Sequence, residues 1–219
     1  MVFRLENLNR STRELIPGVC RDCAWWQGFD DGWDQPEQAE DWERQAEESL
    51  GGWGKLALAD GRLLGLIQFG PAALFPRVSR LRPGPQTGDP VFFTCSMVTS
   101  EADEPARKSL MLAALADLLQ METETAEAFC YKKPGSDQPG HLFDREFLRS
   151  CGFHPVRSSH NVQLMRLEFG GLQPSKPLRH RTRHRILERI KRPASAPAPA
   201  TLCHRHARRP AAAGACSRG

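Results

Sequence analysis

Apolar and polar side chains alternate over Val2-Phe3-Arg4-Leu5-Glu6-Asn7-Leu8, the period of a half-buried strand. Leu15-Ile16-Pro17-Gly18 ends that pattern, and residues 19–26 follow as a short apolar stretch rich in Cys and Trp. Residues 29–35 read as an acidic, Gly-containing loop. Residues 36–50 predict a helix: Pro36 suits a first turn, acids follow it, and Gly51-Gly52 ends it. Two apolar runs, 55–59 and 63–69, flank Asp60-Gly61 and predict a hairpin. Residues 70–88 carry Pro and Arg without a period and read as an irregular connection. The run Val91-Phe92-Phe93 opens a strand, 91–98, apolar enough to lie centrally in a sheet. Residues 103–121 predict the longest helix, with Leu110, Met111, Ala114, Leu115 and Leu118 on one stripe. A short strand at 126–131, a short helix at 142–150 ending at Gly152 and an alternating strand at 162–169 complete the pattern. A strand-helix-strand unit behind a hairpin implies a mixed sheet and an α/β (α+β) fold.

Charge divides the chain. Residues 176–219 hold 12 Lys/Arg against one acid, Glu188, a net of +11, so the overall +4 leaves residues 1–175 at −7. The basic pI belongs to the tail and gives no ground for nucleic-acid binding by the folded part. Residues 193–219 are Pro/Ala/Arg-rich, a composition that cannot bury enough surface to fold. We therefore expect one domain over 1–170 and a disordered basic tail over 171–219. Within that tail, residues 179–192 have the pattern of a short basic amphipathic helix, which leaves a nucleic-acid-associated role open through the tail alone. No stretch reaches the roughly 18 apolar residues of a membrane span, and the first residues lack a secretory apolar region. The expected compartment is the cytoplasm, with no membrane partner, and seven cysteines in such a chain read as free thiols.

Several local patterns occur in one order: Cys20-Arg21-Asp22-Cys23-Ala24-Trp25-Trp26, then Trp53-Gly54-Lys55 after a helix. Glu127-Ala128-Phe129, Phe147-Leu148-Arg149-Ser150-Cys151-Gly152-Phe153 and Leu164-Met165-Arg166-Leu167-Glu168 follow. With the order of elements, this set resembles the GNAT superfamily of acyl-CoA-dependent N-acyltransferases, in a bacterial branch with an N-terminal Cys-x-x-Cys segment. The resemblance implies a mixed, mostly antiparallel central sheet flanked by helices, acetyl-CoA as co-substrate, and direct acetyl transfer to an amine on a small molecule or peptide. It also implies that Met97, Val98 and Thr99, at the end of the fourth strand, provide oxyanion and pantetheine contacts. The loop that follows departs from the superfamily. Where glycines would let backbone amides reach the pyrophosphate, Thr99-Ser100-Glu101-Ala102-Asp103-Glu104-Pro105 carries none and adds three acids. Arg107, Lys108, Ser109 and Leu110 are the residues left to contact the cofactor. A catalytically weak or silent domain that binds an acyl-CoA or a protein is the alternative this loop raises.

For the proton transfers the candidates are Tyr131, the only tyrosine, as acid for the leaving thiolate, and Glu127 as base. Each has a plainer reading: an aromatic packed at a strand end, and a carboxylate that faces solvent or pairs with a neighbouring Lys. Asp30, Asp31, Asp34, Glu37, Glu40 and Asp41 form either an acidic rim for a cationic acceptor or helix-start acids that complement the dipole. Cys20 and Cys23 have half of a zinc site's spacing, but neither Cys151 with His154 nor Cys203, His204 and His206 completes it, so no metal is expected.

Overall fold

A computed structural model describes residues 2–28, 36–99, 104–133 and 140–171, without the side chains of 36–40, 104 and 171. The chain divides into units Met1–Pro177 and Leu178–Gly219. The expected tail and its helix at 179–192 lie outside the described residues, as do the acids from Asp30 to Asp34.

The elements run β1 (Arg4–Leu8), α1 (Gly18–Arg21), α2 (Pro36–Leu50), β2 (Gly54–Ala59), β3 (Arg62–Pro71), α3 (Pro76–Arg80) and β4 (Val91–Val98). Then follow α4 (Glu104–Gln120), β5 (Thr125–Tyr131), β6 (Phe143–Asp144), α5 (Arg145–Ser150), β7 (His154–Ser159) and β8 (Val162–Glu168). They form one mixed sheet in the order β1-β2-β3-β4-β5-β8-β7, with β6 added on β5. All pairings are antiparallel except β4 with β5 and β6 with β5. The expected hairpin turns through Asp60 and Gly61, both at positive φ (51° and 76°), as a tight turn between right-twisted strands demands.

Helix α4 has no glycine and no β-branched residue between Glu104 and Gln120, and it stops where Glu122 takes a positive φ of 56°. Its stripe of Leu110, Met111, Ala114 and Leu118 is fully buried beneath the sheet with Phe93, Ala128, Phe147 and Leu148. A second core on the other face joins Trp26, Trp42, Trp53, Phe75, Phe92 and Phe129. Burying one such aromatic stabilises the fold by about 1.5–3 kcal/mol, so both faces of the central strands are firmly held.

Three features depart from the pattern. The connection at 70–88 contains α3, started by Pro76. The helix expected at 142–150 is β6 followed by α5: the Asp144 carboxylate accepts from the Phe147 amide at 2.8 Å, which caps a helix starting at Arg145. Strand β7 left no hydrophobic signal because five of its six side chains are exposed, and backbone pairing with β8 alone defines it. Among the described residues no helix is long and apolar enough to cross a membrane.

Candidate functional site

The centre of the sheet contains a seam that opens. β4 and β5 pair only over Val91↔Ala126, Phe92↔Glu127 and Phe93↔Ala128. Beyond that point β4 contains a bulge: Phe69 faces Phe93, but the next residue back, Gln68, faces Cys95, leaving Thr94 as the extra residue. Thr94 is buried and its hydroxyl donates to the Gln68 carbonyl at 3.3 Å. A bulge bends its strand, and here it turns β4 away from β5 while pairing with β3 continues to Val98. On the other bank β6 takes over the β5 edge through Cys130↔Phe143 and Tyr131↔Asp144.

The extra residue changes which groups face the gap. The Thr99 amide donates to the Leu64 carbonyl at 2.8 Å. Hydrogen-bonded pairs alternate along an antiparallel ladder, so the Met97 and Cys95 amides also face β3 while those of Ser96 and Val98 face the gap. Of the three residues expected at this strand end, Val98 offers a free amide. Met97 and Thr99 do not. Thr99 instead has a buried hydroxyl with no hydrogen-bond partner among the described residues. Ser96 joins the site although the sequence did not mark it: only the bulge, which has no signature in Thr94-Cys95-Ser96, turns its amide to the gap.

The side chains follow the same shift in parity. Ser96 faces α4, where its hydroxyl accepts from Arg107 Nε at 3.1 Å, and the Arg107 guanidinium lies 4.0 Å from the centre of the Phe147 ring. Arg107 thus spans the gap on the α4 side, from β4 to α5. The unpaired amides of a helix belong to its first turn, and Pro105 has none to offer, so Lys108, Ser109 and Leu110 already donate within α4. Lys108 and Ser109 are half-buried, whereas the Leu110 side chain is wholly in the core. The start of this helix therefore presents few free amides beside the side chains of Arg107, Lys108 and Ser109.

Glu127 lies before the bulge, where the strands are still paired. It is fully buried, and its Oε1 accepts from Arg166 Nε at 2.9 Å and from Arg166 Nη2. The other guanidinium contact of Arg166 is the Thr87 carbonyl at 3.2 Å, and Glu127 Oε2 has no hydrogen-bond partner among the described residues. Burial raises the Glu127 pKa while Arg166 pulls it the other way. In this arrangement the carboxylate ties β5 to β8 through Oε1. Tyr131 ends β5 on the same face as Phe129, half-buried, and burial raises its pKa.

The opposite side of the gap is lined with thiols and aromatic rings. Cys20 Sγ is 3.8 Å from Met97 Sδ. Burial pushes the Cys95 thiol up to about 12, with a smaller contribution from Cys23 and Cys20. Among the described residues no three His, Cys, Asp or Glu side chains converge as metal ligands. Trp26 stacks on Phe129 at 6.3 Å and Trp25 stacks on His141 at 4.6 Å. His141 is a second residue the sequence did not mark, because a lone histidine in a connecting segment has no pattern. Of the expected acidic rim, Asp41 pairs with Arg44 at 2.6 Å, as an ordinary helix-surface acid does.

No family model and no curated protein matches the chain. Solved structures to which it is similar include a ribosomal-protein-alanine N-acetyltransferase from Brucella melitensis, at 12% identity over 75% of this chain and 99% of that one, with a TM-score of 0.49. Another is the PaiA N-acetyltransferase of Thermoplasma acidophilum in complex with coenzyme A, at 14% identity over 77% and 99%, with a TM-score of 0.46. A third is a GNAT family acetyltransferase from Brucella melitensis in complex with acetyl-CoA, at 18% identity over 80% and 92%, with a TM-score of 0.43.

Proposed function

We propose that this chain is a GNAT-type N-acetyltransferase, moving an acetyl group from acetyl-CoA directly to an amine on a small molecule or peptide. The observation that carries the proposal is the bulge at Thr94, which frees one edge of a central strand beside the start of a long helix. A strand edge with free amides recruits an extended chain of amides, and the pantetheine arm of CoA is such a chain. Laid along β4, it places its thioester where the Ser96 or Val98 amide can polarise the carbonyl as negative charge develops on its oxygen. The phosphates then fall at the start of α4, beside Lys108 and Ser109. Tyr131 supplies the proton for the departing thiolate. Glu127, held by Arg166, has a structural role.

Titration calorimetry of the full chain with acetyl-CoA, followed by thiol release in the presence of amines, tests this reading. Binding without transfer would favour a silent acyl-CoA-binding domain. That alternative is supported by Pro105, which removes an amide from the helix start, and by Arg107, which lies across the gap. No binding at millimolar acetyl-CoA sinks both. The free thiols Cys20, Cys23, Cys95, Cys130 and Cys151 suit a reducing compartment such as the cytoplasm. We further propose that residues 171–219 serve no purpose in folding and hold any nucleic-acid affinity the chain has. Truncation after Gly171 should leave the cooperative thermal transition intact and abolish such binding; loss of the transition refutes it.

A further inference from the structure

Arg107 lies across the gap on the α4 side, against Phe147, and Trp25, Trp26 and Met97 pack on its other face. Beside them stands His141. The residue lies two positions ahead of β6, in the segment that enters the sheet where β4 leaves it. Its imidazole stacks on Trp25 at 4.6 Å with 15° between the planes. Trp25 is itself fixed: Arg77 lies 4.5 Å from its ring centre and donates through Nε to its carbonyl. The His141 ring is positioned by that stacking.

We propose that His141 is the catalytic base of the transfer, receiving the proton that the acceptor's ammonium group must lose before it can attack. The assignment rests on the acetyl-transfer reading above. Its charge environment suits the task. Burial and then the Arg77 guanidinium lower the His141 pKa, so the ring is neutral at physiological pH. Cys20 in α1, Cys95 on β4 and Tyr131 on β5 have pKa values raised mainly by burial and keep their protons, and Cys23 lies close enough to act on both thiols.

The ammonium gives one proton to His141, which passes it to solvent. The free amine attacks the thioester carbon and forms the C–N bond. As the C–S bond breaks, the second nitrogen proton passes to solvent and the thiolate takes one from water, directly or through Tyr131, which solvent reprotonates. Acetyl-CoA and an ammonium thus give the amide, free CoA and one proton.

Two nucleophiles separate this role from a structural one: 2-phenylethylamine, which is protonated at neutral pH, and hydroxylamine, which is not. With 2-phenylethylamine, kcat/KM of the native chain should fall on the acid side with an apparent pKa below that of an ordinary histidine. His141→Gln should lose about 100-fold and that acid limb together. With hydroxylamine, which needs no base, the same variant should stay within a few-fold of native. His141→Phe, which keeps a ring to stack on Trp25, should behave like His141→Gln; calorimetry should show unchanged acetyl-CoA affinity in both. Equal losses with the two nucleophiles, or an acid limb retained in His141→Gln, would overturn the assignment. A native chain that binds acetyl-CoA but acetylates neither nucleophile overturns it too. Failure to bind acetyl-CoA instead sinks the transfer reading, and this assignment with it.

Discussion

In its first half β4 has a neighbour on each edge, while in its second half it keeps only β3. Over Val91–Phe93 every side chain is buried, in two aromatic cores, and the strand beyond β5 is tied in by Glu127 and Arg166. Over Cys95–Val98 every side chain is partly exposed, and two backbone amides point away from β3, along the edge where pairing with β5 has ended. One residue, Thr94, separates the two regimes. The gap is made by withholding a strand partner, so stability and the proposed activity can be perturbed separately along one strand.

The lower half should show the largest effect. Glu127→Ala leaves the Arg166 guanidinium without its carboxylate in a largely buried position. Breaking a buried pair costs about 3–5 kcal/mol, and the lower end applies because the Arg166 side chain retains 15% exposure. Urea denaturation should show that loss, while the acetyl-CoA affinity of the folded fraction stays unchanged. A stable Glu127→Ala protein with abolished turnover would restore the carboxylate as a base.

Proline separates the amides of the upper half. Val98→Pro removes an amide that faces the gap and is not used in the ladder, a tolerated position for proline in a strand. It should lower kcat by about 100- to 1000-fold, the scale of one lost oxyanion donor, with little change in thermal stability. Met97→Pro removes an amide that pairs with β3 and should damage folding instead. If Val98→Pro retains full turnover, the oxyanion donor is the Ser96 amide or lies elsewhere.

Much of this was legible from periodicity. The strands at 91–98 and 126–131 and the helix at 103–121 showed themselves because burial on one face or both imposes a pattern on side chains. What stayed hidden depends on the backbone. The bulge occupies Thr94 without glycine or proline to mark it, so the exchange of faces between Ser96 and Met97 could not be foreseen. Glu127 stood in the expected strand, but its partner is 39 residues away on a neighbouring strand, a distance across which sequence gives no pairing signal. Arg107 was expected among phosphates because it begins a helix; its contact with Phe147 depends on how α5 packs, which short-range pattern does not encode.

The anion side of the gap should give a smaller effect. Replacing Arg107 and Lys108 together with alanine should weaken acetyl-CoA binding by about 1–3 kcal/mol, the scale of lost charge-assisted hydrogen bonds. The two residues should not contribute equally. Lys108→Ala alone should account for most of the loss and weaken with salt, because its cation sits at the helix start. Arg107→Ala gives up a cation but also clears the gap between Ser96 and Phe147, so the pantetheine portion should bind no worse. Binding of a phosphate-free pantetheine thioester distinguishes them: tighter in Arg107→Ala, unchanged in Lys108→Ala. Weaker pantetheine binding in Arg107→Ala would mean that the guanidinium is part of the binding surface.

The smallest effect tests the far bank. Asp144 is both the last residue of β6 and the N-cap of α5, so one residue joins the edge that replaces β4 along β5 to the start of the helix that carries Phe147. Asp144→Ala removes an acceptor for the Phe147 amide, a change that typically costs about 1 kcal/mol. Asp144→Asn keeps an acceptor and should lose less. The loss should be local: hydrogen exchange should quicken in α5, while the β4–β5 pairing below the bulge keeps its protection. Phe147 supports Arg107 from this helix, so fraying should loosen the contact across the gap and make acetyl-CoA affinity slightly less sensitive to Arg107→Ala. If the Asp144 and Arg107 substitutions instead prove additive in both stability and affinity, the two banks are independent, and the gap is shaped by the bulge alone.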